Sequence, residues 1–316
     1  MSASETKAKG ARRPGRWTLV RHTVQVLVFA LFAIPMVAVG WNLFGRYEDG
    51  DDALPVPFDL VFAGSLSSSH IGDVNLLDPF AALQVMCASR AFDPTWLVMA
   101  LPVVVVYGLV RARAFCGWVC PVNLLLEIVD ALRAKFGLRV RERVVPRHAK
   151  LGVAAAVLVL SALVGIPVFE AVSPISALNK GLVFGSVAGA VTLVLIVAVE
   201  LFWGHRVWCR ALCPLGGFYE ALGRVGLARV RIDHDACTKC GSCLRACLAD
   251  PVILEPVVSG TETVVRAGDC MVCGACVDVC PERALRLTVE RGGVRTGDES
   301  DGTPSVRGGL HYEGEQ

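Results

Sequence analysis

Cys237-Thr238-Lys239-Cys240-Gly241-Ser242-Cys243-Leu244-Arg245-Ala246-Cys247 and, with an offset of 33, Cys270-Met271-Val272-Cys273-Gly274-Ala275-Cys276-Val277-Asp278-Val279-Cys280-Pro281 place eight cysteines in two runs of one spacing. Thiolates at these intervals wrap a cubane 4Fe-4S cluster, and where two runs occur the fourth cysteine of each ligates the other run's cluster. The expected ligand sets are Cys237, Cys240, Cys243 and Cys280 for one cluster and Cys270, Cys273, Cys276 and Cys247 for the second. Such crossing ties both runs into one small α+β domain that moves electrons one at a time. Zinc is the competing reading, but zinc ribbons and fingers separate their cysteine pairs by about a dozen or more residues, whereas here three cysteines recur at intervals of three before the fourth. Cys247 is followed by Leu248, where Cys280 is followed by Pro281. That proline shapes a turn and supplies no ligand, so its absence removes no donor.

Outside these runs the chain is apolar. Its 316 residues are 54% hydrophobic with a mean hydropathy of +0.54. Four stretches, Thr23 to Phe44, Pro94 to Val110, Leu151 to Phe169 and Gly181 to Val199, contain no Lys, Arg, Asp or Glu. Each approaches the ~17–25 residues that cross a bilayer as helix, so four transmembrane helices are expected. Lys and Arg collect before the first stretch (Lys7 to Arg21) and between the second and third (Arg111 to Lys150), while the loop after the first is acidic, from Glu48 to Asp78. Cationic loops stay in the cytoplasm, which puts both termini and the eight-cysteine domain there. The first stretch is longer than a signal-peptide core and reads as a retained anchor. Thirteen cysteines facing a reducing compartment fit metal ligation better than disulfides.

The apolar region repeats itself. Phe115-Cys116-Gly117-Trp118-Val119-Cys120-Pro121 matches Trp208-Cys209-Arg210-Ala211-Leu212-Cys213-Pro214, and Glu127 and Glu220 keep the same offset of 93. Upstream, Asp78-Pro79 and Ser173-Pro174 each read as the capped start of a short outer helix, because the side-chain oxygen accepts a free N–H and proline has none to leave unpaired. Two helical hairpins of the same direction follow, with their Cys-x-x-x-Cys-Pro exits on one face. A spacing of four sets two thiols on one side of a helix, and the next proline breaks it or begins another. Cys116, Cys120, Cys209 and Cys213 are candidates for a third metal or redox centre; the plainer alternative is packing, since free cysteine behaves as a small hydrophobe. The expected organisation is a basic N-terminus over 1–22, a four-helix membrane bundle over 23–220, the two-cluster domain over 221–291 and a disordered polar tail over 292–316.

His205, beside Trp203 and Trp208, and the pair Arg147-His148 lie at expected membrane boundaries, where such residues act as interfacial anchors or line a quinone site. The chain has no P-loop, dinucleotide fingerprint, serine nucleophile elbow or H-E-x-x-H motif, which removes the common nucleotide and hydrolase chemistries. Topology accounts for its basic loops, so no nucleic-acid partner is expected.

With Leu77-Asp78-Pro79, Phe115 to Pro121, Pro146-Arg147-His148 and Asp269-Cys270-Met271-Val272-Cys273, the chain resembles the NapH and MauN ferredoxin-type membrane proteins over nearly its whole length. The resemblance implies a multi-pass protein of the bacterial inner membrane, the electron-transfer component of a quinol dehydrogenase. It implies electrons drawn from the quinol pool and passed to a NapG-like iron–sulfur partner serving a periplasmic nitrate reductase, or methylamine oxidation in the MauN branch. Relatives sharing the membrane cysteine motifs serve nitrous oxide reduction or oxidase assembly. A maturation factor that reduces metal or thiol centres of a periplasmic metalloenzyme is the alternative role, and a docking scaffold a third.

Overall fold

A computed structural model describes residues 15–45, 62–64, 67–71, 74–137, 146, 148–178, 187–224 and 226–289. The basic segment before Gly15, Arg147 and the tail beyond Val289 lie outside the described residues. The helical part runs α1 (Arg16–Gly45), an antiparallel sheet of β1 (Phe62–Gly64), β2 (Ser68–Ile71) and β3 (Val74–Leu77), then α2 (Pro79–Ser89), α3 (Pro94–Val110), α4 (Ala114–Trp118), α5 (Pro121–Phe136), α6 (Ala149–Val164), α7 (Val168–Val172), α8 (Val187–Phe202), a π turn at Trp208–Leu212 and α9 (Pro214–Leu222). The cysteine-rich part runs β4 (Ala228–Ile232), α10 (Ser242–Arg245), a 3-10 turn at Pro251–Leu254, α11 (Glu255–Ser259), α12 (Ala275–Val279) and β5 (Leu285–Val289).

Among the described residues one helix, α1 over Arg16–Ile34, is long and apolar enough to cross a membrane. α3 has 17 residues and α6 has 16; at 1.5 Å per residue, 16 residues reach ~24 Å, short of a hydrocarbon core of ~30 Å. The third expected span is cut because Gly165 turns left-handed (φ +79°), its N–H closing on the Ser161 carbonyl at 2.9 Å, and Pro167 cannot continue the ladder. α2 begins where the Asp-Pro pair predicts it: Asp78 Oδ2 accepts the Ala81 N–H at 3.2 Å. The three strands between α1 and α2 were not expected, since that stretch carries no clear alternation.

Asp78 also accepts a hydrogen bond from the Tyr219 hydroxyl at 3.2 Å, and burial raises its pKa from 3.8 to about 7. A raised folded-state pKa means the native state favours the protonated acid, so stability falls as pH climbs from about 4 through 7 and stays lower above. Asp78→Asn keeps an acceptor at the helix start without the charge. Thermal unfolding of detergent-solubilised protein is expected to show the variant's midpoint above wild type by on the order of 5 °C near pH 8, with the gap closing near pH 5. A gap that widens toward acid would refute this assignment.

The cysteine-rich part pairs β4 with β5 antiparallel, Val230 opposite Leu287. Sequence symmetry suggests a strand after each run, at Val252-Ile253-Leu254 and at Ala284–Leu287; only the second forms. After the first run Asp250 Oδ1 accepts the Val252 N–H at 3.1 Å with Pro251 next, a helix-start chemistry that overrides the apolar triplet. The runs themselves repeat in backbone: Lys239 and Val272 have φ of 53° and 50°, and Gly241 and Gly274 have 70° and 76°. A β-branched valine in that region is strained, which the surrounding loop must hold in place.

This domain docks on the motif-bearing end of the helical part. Asp278 caps α1 from far along the chain, accepting the Thr18 N–H at 2.7 Å and the Trp17 N–H at 3.1 Å, a favourable place for an anion. Arg111 donates to the Ala228, Val265 and Ala267 carbonyls, and Trp118 Nε1 donates to the Val272 carbonyl at 3.1 Å.

Candidate functional site

Three cavities ringed by cysteine organise the chemistry. Cys237, Cys240, Cys243 and Cys280 line one of about 20 Å³. Cys247, Cys270, Cys273 and Cys276 line a second of about 20 Å³. The positions follow from the fold: pairing of β4 with β5 returns the end of the second run, at Cys280, beside the start of the first, while α10 and α12 pack together at the centre. The first cavity lies nearer the surface, with Cys240 exposed, and the second is deeper, with Cys247, Cys270 and Cys276 buried. Burial pushes the Cys247 thiol up to about 12 and raises Cys273 and Cys276, so thiolates form there only beside a compensating cation. Each ring therefore has the donor set for a cubane cluster, four cysteine sulfurs about a closed space.

Cys116, Cys120, Cys209 and Cys213 line the third cavity, of about 30 Å³. Both motifs build it alike. Since proline follows each second cysteine and offers no N–H, the turn closes wide: Cys120 N–H reaches the Phe115 carbonyl at 3.0 Å and Cys213 N–H reaches the Trp208 carbonyl at 2.8 Å. Pro121 and Pro214 then open α5 and α9. The spacing of four thus becomes two thiols around one wide turn, with the helix restarting at the proline. Burial pushes Cys120 and Cys213 up to about 12 and raises Cys209.

The repeat extends to residues that sequence reading passed over. Arg113 and Arg206 stand three positions before Cys116 and Cys209, and each is 1% exposed. Arg113 donates to Asp269 Oδ1 at 2.8 Å and to the Cys209 carbonyl at 3.1 Å; Arg206 donates to Asn123 Oδ1 at 2.7 Å. Burial works against the Arg113 charge, but Cys116, Asp269 and Cys209 outweigh it and raise its pKa. As ordinary members of basic loops these arginines look topological; the signal was their shared offset from the motif.

Six residues after each motif's proline lies a glutamate. Glu127 binds Arg21 and accepts a hydrogen bond from His22 Nε2 at 2.7 Å; although burial works to raise it, Arg21 and His22 hold its carboxyl below the usual range. Glu220 meets His148 Nδ1 at 2.9 Å and Lys150 Nζ at 3.2 Å, and Lys150 also pairs with Asp269. Of the quinone-site candidates, His148 thus sits at an open polar cleft shared with Arg224 and Arg266, His205 pairs with Asp130 at 3.1 Å, and Arg147 is outside the described residues. The two histidines serve different acids and do not form one site.

Gly117, next to Cys116, packs against the second run. A Cβ there would stand 3.0 Å from the Met271 carbonyl oxygen and 3.6 Å from Cys273 Cβ, so a larger residue would push the loop beside Cys116 off the second run by a few tenths of an ångström.

A family model described as "4Fe-4S binding domain" matches residues 92–139 and again 186–232, and one described as "4Fe-4S dicluster domain" matches 229–281. The chain is 33% identical over 289 residues, 91% of its length and 94% of the relative's, to "Methylamine utilization ferredoxin-type protein MauN" of Methylorubrum extorquens. It is 32% identical over 283 residues, 89% of its length and 92% of the relative's, to "Ferredoxin-type protein NapH" of Escherichia coli. To the MauN protein of Methylobacillus flagellatus it is 35% identical over 279 residues, 88% and 91% of the two chains. No solved structure matches.

Proposed function

Because the chain belongs to the NapH/MauN family of ferredoxin-type iron–sulfur proteins, we propose that it is a membrane-bound component that takes electrons from the quinol pool and hands them, through its ferredoxin cysteines, to a partner iron–sulfur protein. The observation that carries this reading is an apolar groove of about 280 Å³ lined by Val106, Tyr107, Val110 and Trp118 of the helical part and by Val272 and Leu287 of the ferredoxin part. Val272 lies between Cys270 and Cys273, so a molecule in the groove rests against the loop of the second cysteine ring. The outward residues of α3 next to it, Val105, Leu109 and Val110, are exposed and apolar. So are Val159, Leu160 and Leu163 on α6 and Val191, Val194 and Leu195 on α8, a surface suited to lipid and costly in water. That apolar surface is the ground for placing the helical part in contact with lipid, from which a lipid-dissolved quinol would enter the groove.

When bound, each 4Fe-4S cluster takes up one electron at a time. The eight cysteines would hold two clusters in crossed sets, Cys237, Cys240, Cys243 and Cys280 for one and Cys247, Cys270, Cys273 and Cys276 for the other. Quinol gives up two electrons and two protons on becoming quinone; the groove would hold it against the second cysteine ring, with water at the junction with the ferredoxin part to take the protons. Trp118 fixes one wall by its hydrogen bond to Val272, and the valines exclude water from the rest. The buried ring lies at the groove, and the ring containing exposed Cys240 faces outward, where a docked iron–sulfur partner would take the electrons.

Filling the groove with Val106→Trp and Val110→Trp tests this. Anaerobic reduction by menaquinol or ubiquinol is expected to slow at least ~10-fold, equivalent to about 1.4 kcal/mol, while dithionite reduces the same clusters as before. Equal quinol rates in variant and wild type would refute the groove, and a wild type that neither quinol reduces would refute the quinol role and favour the maturation reading.

A further inference from the structure

The polar cleft at His148 takes no part in the redox chemistry above. It measures about 430 Å³ and is lined by His148, Arg224, Arg266 and Glu262 over Ala267 and Gly268, a size within the ~300–1,000 Å³ of small-molecule sites. We propose that this cleft binds the phosphate headgroup of an anionic phospholipid whose acyl chains lie along α6. The proposal rests on the reading that the helical part contacts lipid, and not on quinol oxidation.

Three segments meet to form the cleft, and glycines let them meet. A Cβ at Gly217 of α9 would overlap the Lys150 carbonyl at the start of α6, one at Gly268 would overlap the Glu220 carbonyl, and one at Gly223 would stand 2.7 Å from the Gly268 carbonyl oxygen. Backbone thus rests on backbone where the first turn of α6, the end of α9 and the loop Arg266–Gly268 join. Beneath them Glu220, 1% exposed, accepts from His148 Nδ1 at 2.9 Å and pairs with Lys150 Nζ at 3.2 Å. That contact engages Nδ1 and leaves the other ring nitrogen for a ligand. Glu220 is spent on Lys150 and His148, so within the cleft Glu262 alone offsets two arginines. The stem of Arg224 lies over Gly268, and Arg224 and Arg266 are both exposed; guanidinium forks suit phosphate oxygens, which they bind in pairs.

The surface that continues from the cleft separates a lipid from a soluble anion. His148 immediately precedes α6, and at the spacing of one helix face it is followed by Gly152, Ala155, Ala156, Val159, Leu160 and Leu163, all exposed. An acidic peptide would use the cations and leave this uncharged face bare. A phospholipid uses both, its phosphate at the arginines and its chains against α6.

Native mass spectrometry of the detergent-solubilised full chain, titrated with dioleoylphosphatidylglycerol, dioleoylphosphatidylcholine and glycerol 3-phosphate, tests this. Phosphatidylglycerol is expected to saturate a single site, and phosphatidylcholine, whose choline cancels the phosphate charge, to bind more weakly. Arg224→Gln/Arg266→Gln is expected to weaken phosphatidylglycerol by about 30-fold, or ~5-fold for each charge removed at a lipid surface. Arg286→Gln, which removes an exposed cation outside the cleft, is expected to change nothing. Should the double variant fail to accumulate, Arg266→Gln alone decides, with a loss of ~5-fold. Equal affinity for the two lipids, an unchanged affinity in the cleft variants, or an equal loss in Arg286→Gln would overturn the site. Glycerol 3-phosphate binding as tightly as the lipid would overturn it too, by making the ligand a soluble phosphate. A chain that stays in solution without detergent would overturn the lipid-contact reading and this proposal with it.

Discussion

Asp269→Ala is expected to undock the ferredoxin domain from the helical domain. The carboxylate is fully buried and is shared by Arg113 and Lys150, while Lys150 leans on Glu220 as well. Removing it leaves two cations facing each other without water. Breaking one partner of a buried ion pair costs about 3–5 kcal/mol, because the charge left behind stays desolvated. For a domain of this size that lowers the unfolding midpoint by on the order of 10 °C. Asp269→Asn, which keeps an acceptor for Arg113, is expected to lose less. Thermal unfolding followed by cluster absorbance, with limited proteolysis of the link between α9 and β4, reads both variants. A midpoint for Asp269→Ala within about 1 °C of wild type would show that the network is not what fastens the domains.

The second large effect concerns the crossed ligand sets. Cys247 follows the first run in sequence but lines the cavity of Cys270, Cys273 and Cys276, and Cys280 closes the second run but lines the cavity of Cys237, Cys240 and Cys243. Cys247→Ser and Cys273→Ser are therefore expected to abolish one and the same resonance signal, and Cys280→Ser and Cys240→Ser the other, each with loss of up to about four iron. Were Cys247→Ser to share its spectral loss with Cys240→Ser, the runs would be uncrossed and the α10–α12 packing would hold separate sites.

Much of the chemistry was readable from residue spacing, because cluster ligation demands fixed cysteine intervals and the Cys-x-x-x-Cys-Pro motif occurs twice. The start of α2 was readable from Asp78-Pro79 for the same reason: a cap and a missing N–H are local. What was not readable was non-local or masked by a rival cue. Arg113 and Arg206 look like loop cations until Cys209 and Asp269 are brought beside them by the packing of the two halves. Val252-Ile253-Leu254 has strand composition, yet Asp250-Pro251 commits it to a helical turn. Leu151 to Phe169 has the hydropathy of a span, but Gly165 and Pro167 end the helix before it reaches bilayer length. Hydropathy sums over a window; a helix stops at a single residue.

Glu127 and Glu220 illustrate the same division. Their equal offset was visible, but their partners come from the starts of α1 and α6, Arg21-His22 for one and His148 with Lys150 for the other. The repeated domain thus places one acid-cation-histidine group at the foot of each half. Neither histidine borders the apolar groove, which instead offers Tyr107 and Trp118, aromatic residues that an interface anchor and a quinol site share.

The central claim is that eight of the thirteen cysteines hold two inorganic cubanes. Metal and acid-labile sulfide analysis of the anaerobically purified full chain tests it most directly. The account predicts at least about eight iron and an equal amount of sulfide per chain. Stoichiometric zinc with no sulfide would contradict it.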